Sequence, residues 1–367
     1  MSTRRSQAQA RLLHGWEHGF SSGPTAVMGV LGRGYRGLLG AREWLYRRGV
    51  LRSRPLGCPV VSVGNLTVGG TGKTPAVELA VRTLAELGRR PAVVSRGYRR
   101  RTSGVQIVAD TASIRLDPED AGDEPFLLAR RLPGVPVVVG ANRHEAGQAA
   151  VDRFGSTAIV LDDGFQHRTL AKDLEIVMTR ARRPWGNGLM LPGGPLREPL
   201  SALARADLVV ATGVSLVADA PEVLAATERW APAVPVLAAG YAPVECWESD
   251  QRRLLPLEDL KGARLLAFAG LASPESFRST LADLGADVAA FEAFVDHHWY
   301  TADDLAALER RARESRADML ITTEKDWVRL RRLGRIGRPI YVLSIRLELR
   351  SGLAEWRRAF ERACRTA

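Results

Sequence analysis

Pro59-Val60-Val61-Ser62-Val63-Gly64-Asn65-Leu66-Thr67-Val68-Gly69-Gly70-Thr71-Gly72-Lys73-Thr74-Pro75 is an apolar, β-type run that breaks into glycines and ends on Gly-Lys-Thr. Glycines at 69, 70 and 72 let successive backbone N–H groups turn inward around anionic oxygens. Lys73 can then reach terminal phosphates, and the Thr74 hydroxyl can hold Mg²⁺ at a helix start. The general pattern wants glycine five residues before Gly72, where this chain has Thr67. Chance is a poor account of the lysine, because the chain has only four (Lys73, Lys172, Lys261, Lys325) against 48 arginines. The cradle is therefore read as Thr67, Val68, Gly69, Gly70, Thr71, Gly72, Lys73 and Thr74, with a nucleoside triphosphate and Mg²⁺ as its expected ligands.

Working outward, 367 residues exceed the usual size of one domain, so two cores are expected. Cys58, Cys246 and Cys364 are odd in number, far apart and without paired metal-ligand spacing, which suits a reducing compartment and excludes a disulfide framework. The net charge is +11, and residues 1–57 hold ten arginines against Glu17 and Glu43, leaving only +3 for the rest. Leu12, Leu13, Trp16, Phe20, Leu31, Tyr35, Leu38, Leu39 and Trp44 interleave those arginines at loosely helical spacing. Residues 1–54 are read as a basic amphipathic segment that lies on an anionic membrane surface, the alternative being a solvated helix packed on the core. Arg33 and Arg36 interrupt its apolar stretch well short of the roughly 20 residues a spanning helix needs. A short apolar core with a small-residue cleavage site is also lacking, which excludes a secretory signal. No nucleic-acid motif accompanies the basic arm, so nucleic acid is not an expected partner.

Beyond the cradle, helical spacing runs from Ala76 to Leu87, and strands are expected at 92–94, 105–108, 135–139, 158–161, 174–178 and 208–211. Helices are expected between them at 125–132 and 143–154. Such alternation implies a parallel sheet covered on both faces. Proline and glycine accumulate from 231 to 243, and a second α/β alternation follows, so residues 55–235 are read as one domain and 236–367 as a smaller one. Residues 184–199 carry too much glycine and proline for a regular element, and an ordered loop of that kind usually serves function.

Asp162 and Asp163 stand just past the apolar run 158–161, where phosphate-loop enzymes keep a Mg²⁺-organising acid, and parallel strands carry ligand sites at that end. An Asp-Gly turn that merely closes the strand is the structural alternative. Asp123, in Gly122-Asp123-Glu124-Pro125, can accept a hydroxyl proton, although acids in a first helical turn are favoured by the helix dipole without any catalysis. Asp296-His297-His298 supplies a second candidate base, since a histidine bonded to a carboxylate is poised to take a proton. Arg96, Arg143 and Arg197 sit in glycine- and proline-punctuated segments and can neutralise phosphates, as can any of the many surface arginines.

Seven short runs together resemble one family, tetraacyldisaccharide 4′-kinase: Val63 to Pro75, Ser95-Arg96-Gly97-Tyr98, Gly122 to Pro125, Asp162-Asp163-Gly164-Phe165-Gln166-His167, Leu191 to Glu198-Pro199, Asp296-His297-His298 and Thr323-Glu324-Lys325-Asp326. Thr67 is how that family's loop reads. The resemblance implies a P-loop NTPase-like α/β fold with a smaller second α/β domain that closes over the site. It also implies transfer of the ATP γ-phosphate to the 4′-hydroxyl of a tetraacyldisaccharide 1-phosphate at the cytoplasmic face of the inner membrane. Carried over by position, Asp123 accepts the proton with His297 as its partner, Asp162 and Thr74 take the metal with Asp163 beside them, and Arg143 is a further catalytic position. Arg96, Gln166, His167, Arg197 and Glu198 face the lipid substrate. No obligate protein partner is implied. The competing reading is a partner-regulated ATPase of the partition or metal-chaperone type, whose loops place a second lysine before the two glycines, where this chain has Val68.

Overall fold

The computed structural model describes residue 16 and residues 25–250, 253–271, 274–333 and 338–366. Most of the expected basic segment's first half, 1–15 and 17–24, lies outside the described residues. Two compact units divide the chain. The first runs to Gly240 and takes in the chain again from Leu347, and the second is Tyr241–Arg346.

The first unit opens with α1 (Thr25–Arg47), then β1 (Val60–Gly64), α2 (Lys73–Glu86), β2 (Pro91–Ser95) and β3 (Gln106–Ala109). It continues through α3 (Pro118–Ala121), α4 (Asp123–Arg131), β4 (Val137–Val139), α5 (Arg143–Phe154), β5 (Ala158–Asp162), β6 (Leu174–Arg180), β7 (Leu208–Thr212), α6 (Pro221–Trp230) and the first part of β8 (Val236–Glu248). Strand order is β8-β7-β6-β1-β5-β2-β4-β3. Each of these neighbours is parallel except β3, which runs antiparallel to β4. Every residue of β1, β2, β5 and β7 is buried, as expected of strands covered on both faces. Boundaries follow local chemistry: Asn142 caps α5 by accepting from His144 N and Glu145 N, and Gly155 ends it at φ 61.

In the second unit the rest of β8 is followed by β9 (Leu254–Leu255), β10 (Arg264–Ala269), α7 (Pro274–Asp283), β11 (Asp287–Ala293), α8 (Ala302–Glu314), β12 (Met319–Thr323), α9 (Glu324–Leu330) and β13 (Ile340–Leu349). Order here is β11-β10-β12-β13-β8, with β10, β11, β12 and β13 joined in parallel. Thr301 and Asp304 form a capping box on α8.

The division differs from a boundary near 235. Residues 236–239 continue the first unit's sheet beside β7, and the C-terminal helix α10 (Leu353–Thr366) belongs to the first unit. Trp356 explains that return: it is 2% exposed, stacks near Phe360 with ring centroids 4.8 Å apart, and donates from Nε1 to Thr83 Oγ1 of α2 at 3.0 Å. Trp356→Ala is expected to lower unfolding free energy by about 3–5 kcal/mol, read from denaturant midpoints at unchanged slope. A change under 1 kcal/mol would mean that α10 is not anchored there.

Candidate active site

β1 delivers the chain into the glycine turn, and Gly72 in the left-handed region (φ 82) starts α2 without a side-chain cap. The first-turn N–H groups of α2 thus lack a side-chain acceptor, the condition for anion binding at a helix start. Thr67, Thr71 and Thr74 are buried. Asn65 Nδ2 donates to Thr71 Oγ1 at 3.0 Å across the turn. The proline-rich 184–199 loop is laced to the cradle by Val68 N to Pro195 O (2.9 Å) and Arg197 N to Leu66 O (2.7 Å), which accounts for its order.

Register puts Asp162 beside Val63, at the end of β1 where the cradle begins. Asp162 is 1% exposed, accepts from Ser95 Oγ at 2.9 Å, and its Oδ1 has no hydrogen-bond partner among the described residues. Burial, with the negative charges of Glu124 and Asp163, pushes its carboxyl up to about 7 against the pull of Lys73 and Ser95. Asp163 takes a left-handed backbone (φ 53) that turns it out of the strand. Burial opposes its ionisation too, but Lys73 Nζ at 3.7 Å and a bidentate Arg197 at 2.7 and 2.9 Å hold it well below the usual carboxylate range. Two adjacent acids are thereby held in opposite tendencies, one reluctant to ionise and one fixed as an anion. The next residue must be glycine, since a Cβ on Gly164 would sit 2.7 Å from both Leu161 Cβ and Ser62 Oγ.

Arg143 opens α5, is buried, and donates to Gly140 O and Ala141 O at 3.2 and 3.0 Å. Burial and then the charge of Arg96 lower its guanidinium to about 10. Arg96 itself is exposed just past β2. Half-buried Asp123 begins α4 behind Gly122 (φ 91), where an added Cβ would come within 3.2 Å of Tyr98 O and 3.3 Å of the Gly97 backbone, so the Ser95–Tyr98 and Gly122–Pro125 runs meet. Gln166 Nε2 donates to Asn65 O at 2.9 Å. His167 is lowered to about 4 by burial and then by Arg143 and Lys172, so its ring is neutral near pH 7.

Arg197 and Glu198, expected to face substrate, also have partners within the chain. Arg197 is engaged with Asp163 and also with Asn65 Oδ1, and buried Glu198 accepts from Arg205 at 2.5 Å. The sequence reading passed over several contributors: Asn65, Ser95, Glu124, Arg205 and Lys172. Lys172 donates to Gly164 O and Phe165 O, both at 3.3 Å, and pairs with Glu175 at 2.8 Å, pinning the turn after Asp163. The scarcity of lysine was the available signal for it.

Helix α1 is built into this region. Tyr35 OH donates to Arg197 O (3.2 Å), Arg42 to Gln166 O (2.9 Å), and Glu43 pairs with Arg168. A cavity of about 430 Å³ lies beneath it, lined by Arg36, Arg42, Arg47, Arg168 and Arg205 against Glu43 and Glu198. On the other side Leu38 is 72% exposed, with Leu31 and Trp44 also exposed.

In the second unit, His298 is committed to structure: its Nε2 meets Asp304 at 2.9 Å, and its ring stacks on Phe294 with centroids 4.8 Å apart. His297, at φ 62, is held by Arg329 Nη2 against Nδ1 at 3.0 Å. Of the two, His297 has the ring not absorbed by a helix cap.

A parallel sheet whose central strand opens into a glycine cradle ending in lysine, with a buried acid at the tip of the neighbouring strand, is the architecture of phosphate-loop kinases. A family model described as Tetraacyldisaccharide-1-P 4′-kinase matches residues 25–363. The chain belongs to that family. It is 44% identical over 318 residues to a tetraacyldisaccharide 4′-kinase of Syntrophus aciditrophicus, covering 84% of this chain and 85% of the relative. To one from Anaeromyxobacter dehalogenans it is 46% identical over 297 residues, covering 81% and 79%. A crystal structure of LpxK from Aquifex aeolicus in complex with ATP superposes with a TM-score of 0.73 at 29% identity, covering 93% of this chain and 99% of that one.

Proposed function

We propose that this protein transfers the γ-phosphate of ATP to the 4′-hydroxyl of a tetraacyldisaccharide 1-phosphate, the kinase step in lipid A precursor synthesis. The observation that carries this is a family match across 25–363 that coincides with an intact cradle and acid pair. Lys73 and the first-turn amides of α2 grip the phosphates, and Arg96 and Arg143 add positive charge around them. The 4′-oxygen bonds to the γ-phosphorus as the bond to the β,γ-bridging oxygen breaks; ADP leaves, and the hydroxyl proton passes to Asp123. His297 is proposed as the partner of Asp123, and neutral His167 and Gln166 as hydrogen-bonding groups toward the sugar.

Thr74 and Asp162 would hold Mg²⁺. The residues fit: Asp162 Oδ1 is a buried acceptor without a donor among the described residues, amid crowded carboxylates whose repulsion a cation relieves. Among the described residues no three His, Cys, Asp or Glu side chains form a metal cage, which agrees with an ion held by one or two carboxylates plus substrate phosphates. When bound, it neutralises charge on the transferring phosphoryl group.

No helix among the described residues is long and apolar enough to cross a membrane. Exposed Leu31, Leu38 and Trp44 on α1, with exposed Arg33 and Arg36, support peripheral attachment at the cytoplasmic face of the inner membrane through the N-terminal segment, where an amphiphilic substrate resides. The decisive experiment incubates purified protein with ATP, Mg²⁺ and the acylated disaccharide 1-phosphate. The expected product is the 4′-phosphorylated lipid, with the Asp123→Ala rate reduced roughly 10²–10⁴-fold. An unphosphorylated lipid under conditions where a relative works would refute the assignment.

A further inference from the structure

Asp326 lies in the first turn of α9 and is 0% exposed, and four groups converge on its carboxylate. Gly270 N and Tyr300 OH each donate to Oδ1 at 2.9 Å, Thr323 Oγ1 donates to Oδ2 at 2.6 Å, and Arg329 Nη1 stands 3.6 Å from Oδ1. One turn along α9, Arg329 is 1% exposed and its Nη2 meets His297 Nδ1 at 3.0 Å. The same carboxylate also fixes the backbone on which His297 sits. His297 N donates to Gly270 O at 3.4 Å, and a Cβ on Gly270 would approach Asp326 Oδ1 to 2.9 Å and Val295 O to 3.1 Å, so only glycine lets the turn close on the acid.

A guanidinium has donors and no acceptor. The nitrogen it meets must offer a lone pair, so the neutral ring carries its proton on Nε2. That atom lies 4.0 Å from Asp296 Oδ1. We propose that Arg329, seated by Asp326, is a positioning residue for phosphoryl transfer, holding His297 in the Nε2–H tautomer so that it presents a hydrogen-bond donor. The Thr323-Glu324-Lys325-Asp326 run thereby gains a role: its threonine caps α9 and its aspartate seats the arginine. The catalytic part of this proposal rests on the kinase reading and on His297 as the partner of Asp123; the tautomer itself does not.

The test is long-range ¹H–¹⁵N correlation on the full chain with ¹⁵N-labelled histidine, His297 being assigned by its absence in His297→Gln. The expected spectrum of the neutral ring shows the Nε2–H pattern, and an Nδ1–H pattern or an even mixture would overturn the proposal. In Arg329→Met the preference is expected to relax and kcat to fall at least tenfold with KM for ATP little changed, the direction a misplaced tautomer takes in other enzymes. Arg329→Gln, which keeps a donor, should recover part of both. Loss of the tautomer with kcat intact would overturn the positioning role. Should Arg329→Met not fold because Asp326 is left buried without its cation, the wild-type spectrum and Arg329→Lys, which keeps a cation beside Asp326 but shortens the reach to His297, still decide. The spectrum needs no lipid turnover, so absence of kinase activity in the wild type would strike the kinase reading and leave the tautomer assignment standing.

Discussion

Asp162→Asn is expected to raise the melting temperature by roughly 5 °C while slowing phosphoryl transfer at least about a hundredfold. Both effects have one origin. The fold buries this carboxyl beside Glu124 and Asp163, which favours its neutral form, and asparagine imitates the neutral acid in size and shape. Ser95 Oγ can serve either an oxygen or a nitrogen at that position. The pH dependence has a definite sign. The group ionises at its ordinary value of 3.8 when unfolded and near 7 when folded. Its contribution to stability is therefore full below about pH 4 and is lost as pH rises to 7. The stability advantage of the variant should widen over that window and level off above it, in paired thermal melts. Asp163, held below its ordinary value, acts oppositely and loses its contribution only as pH falls through the acid range. A variant that melts lower than wild type, or that keeps full activity, would show that Asp162 is an ordinary strand-ending residue.

Lys73→Ala is expected to lower kcat/KM by about 10³ or more and to weaken ATP binding, and Lys73→Arg should not restore either. In this structure the ammonium rests 3.7 Å from Asp163 and pulls on both acids. Its removal leaves Arg197 as the cation bonded to Asp163 and lets Asp162 drift further toward its neutral form. A planar fork cannot take over in a glycine turn shaped for a point charge on a slim stem. Nucleotide titration and single-turnover transfer separate the two losses. Activity within tenfold of wild type would mean that the cradle does not work through its lysine.

The parts of this site that came through in the sequence are those made of consecutive residues. The turn from Gly69 to Thr74 is legible because its glycines and lysine do their work within one loop, and Asp162 because it directly ends an apolar run. Strand Val236–Glu248 was read as a proline- and glycine-rich boundary, since Gly240 and Pro243 break its pattern although pairing with β7 sustains it. Helix Pro221–Trp230 was missed, as was Glu324–Leu330, seven residues long and too short to show a period. The basic N-terminal stretch reads as a membrane-surface segment or a helix packed on the core, and only the fold shows that Tyr35, Arg42 and Glu43 tie its described helix to Arg197, Gln166 and Arg168.

The sequence by itself determined the α/β class, the cradle and its ligand class, because strand and helix periods and turn chemistry are properties of neighbouring residues. The tertiary structure alone decided that Arg197 serves Asp163 and Asn65, that Glu198 serves Arg205, that α10 returns to the first unit, and which of two adjacent histidines is absorbed by a helix cap. The physical reason is the same each time. A charge or ring takes its role from the groups that burial brings within a few ångströms, and those groups lie tens to hundreds of residues away along the chain.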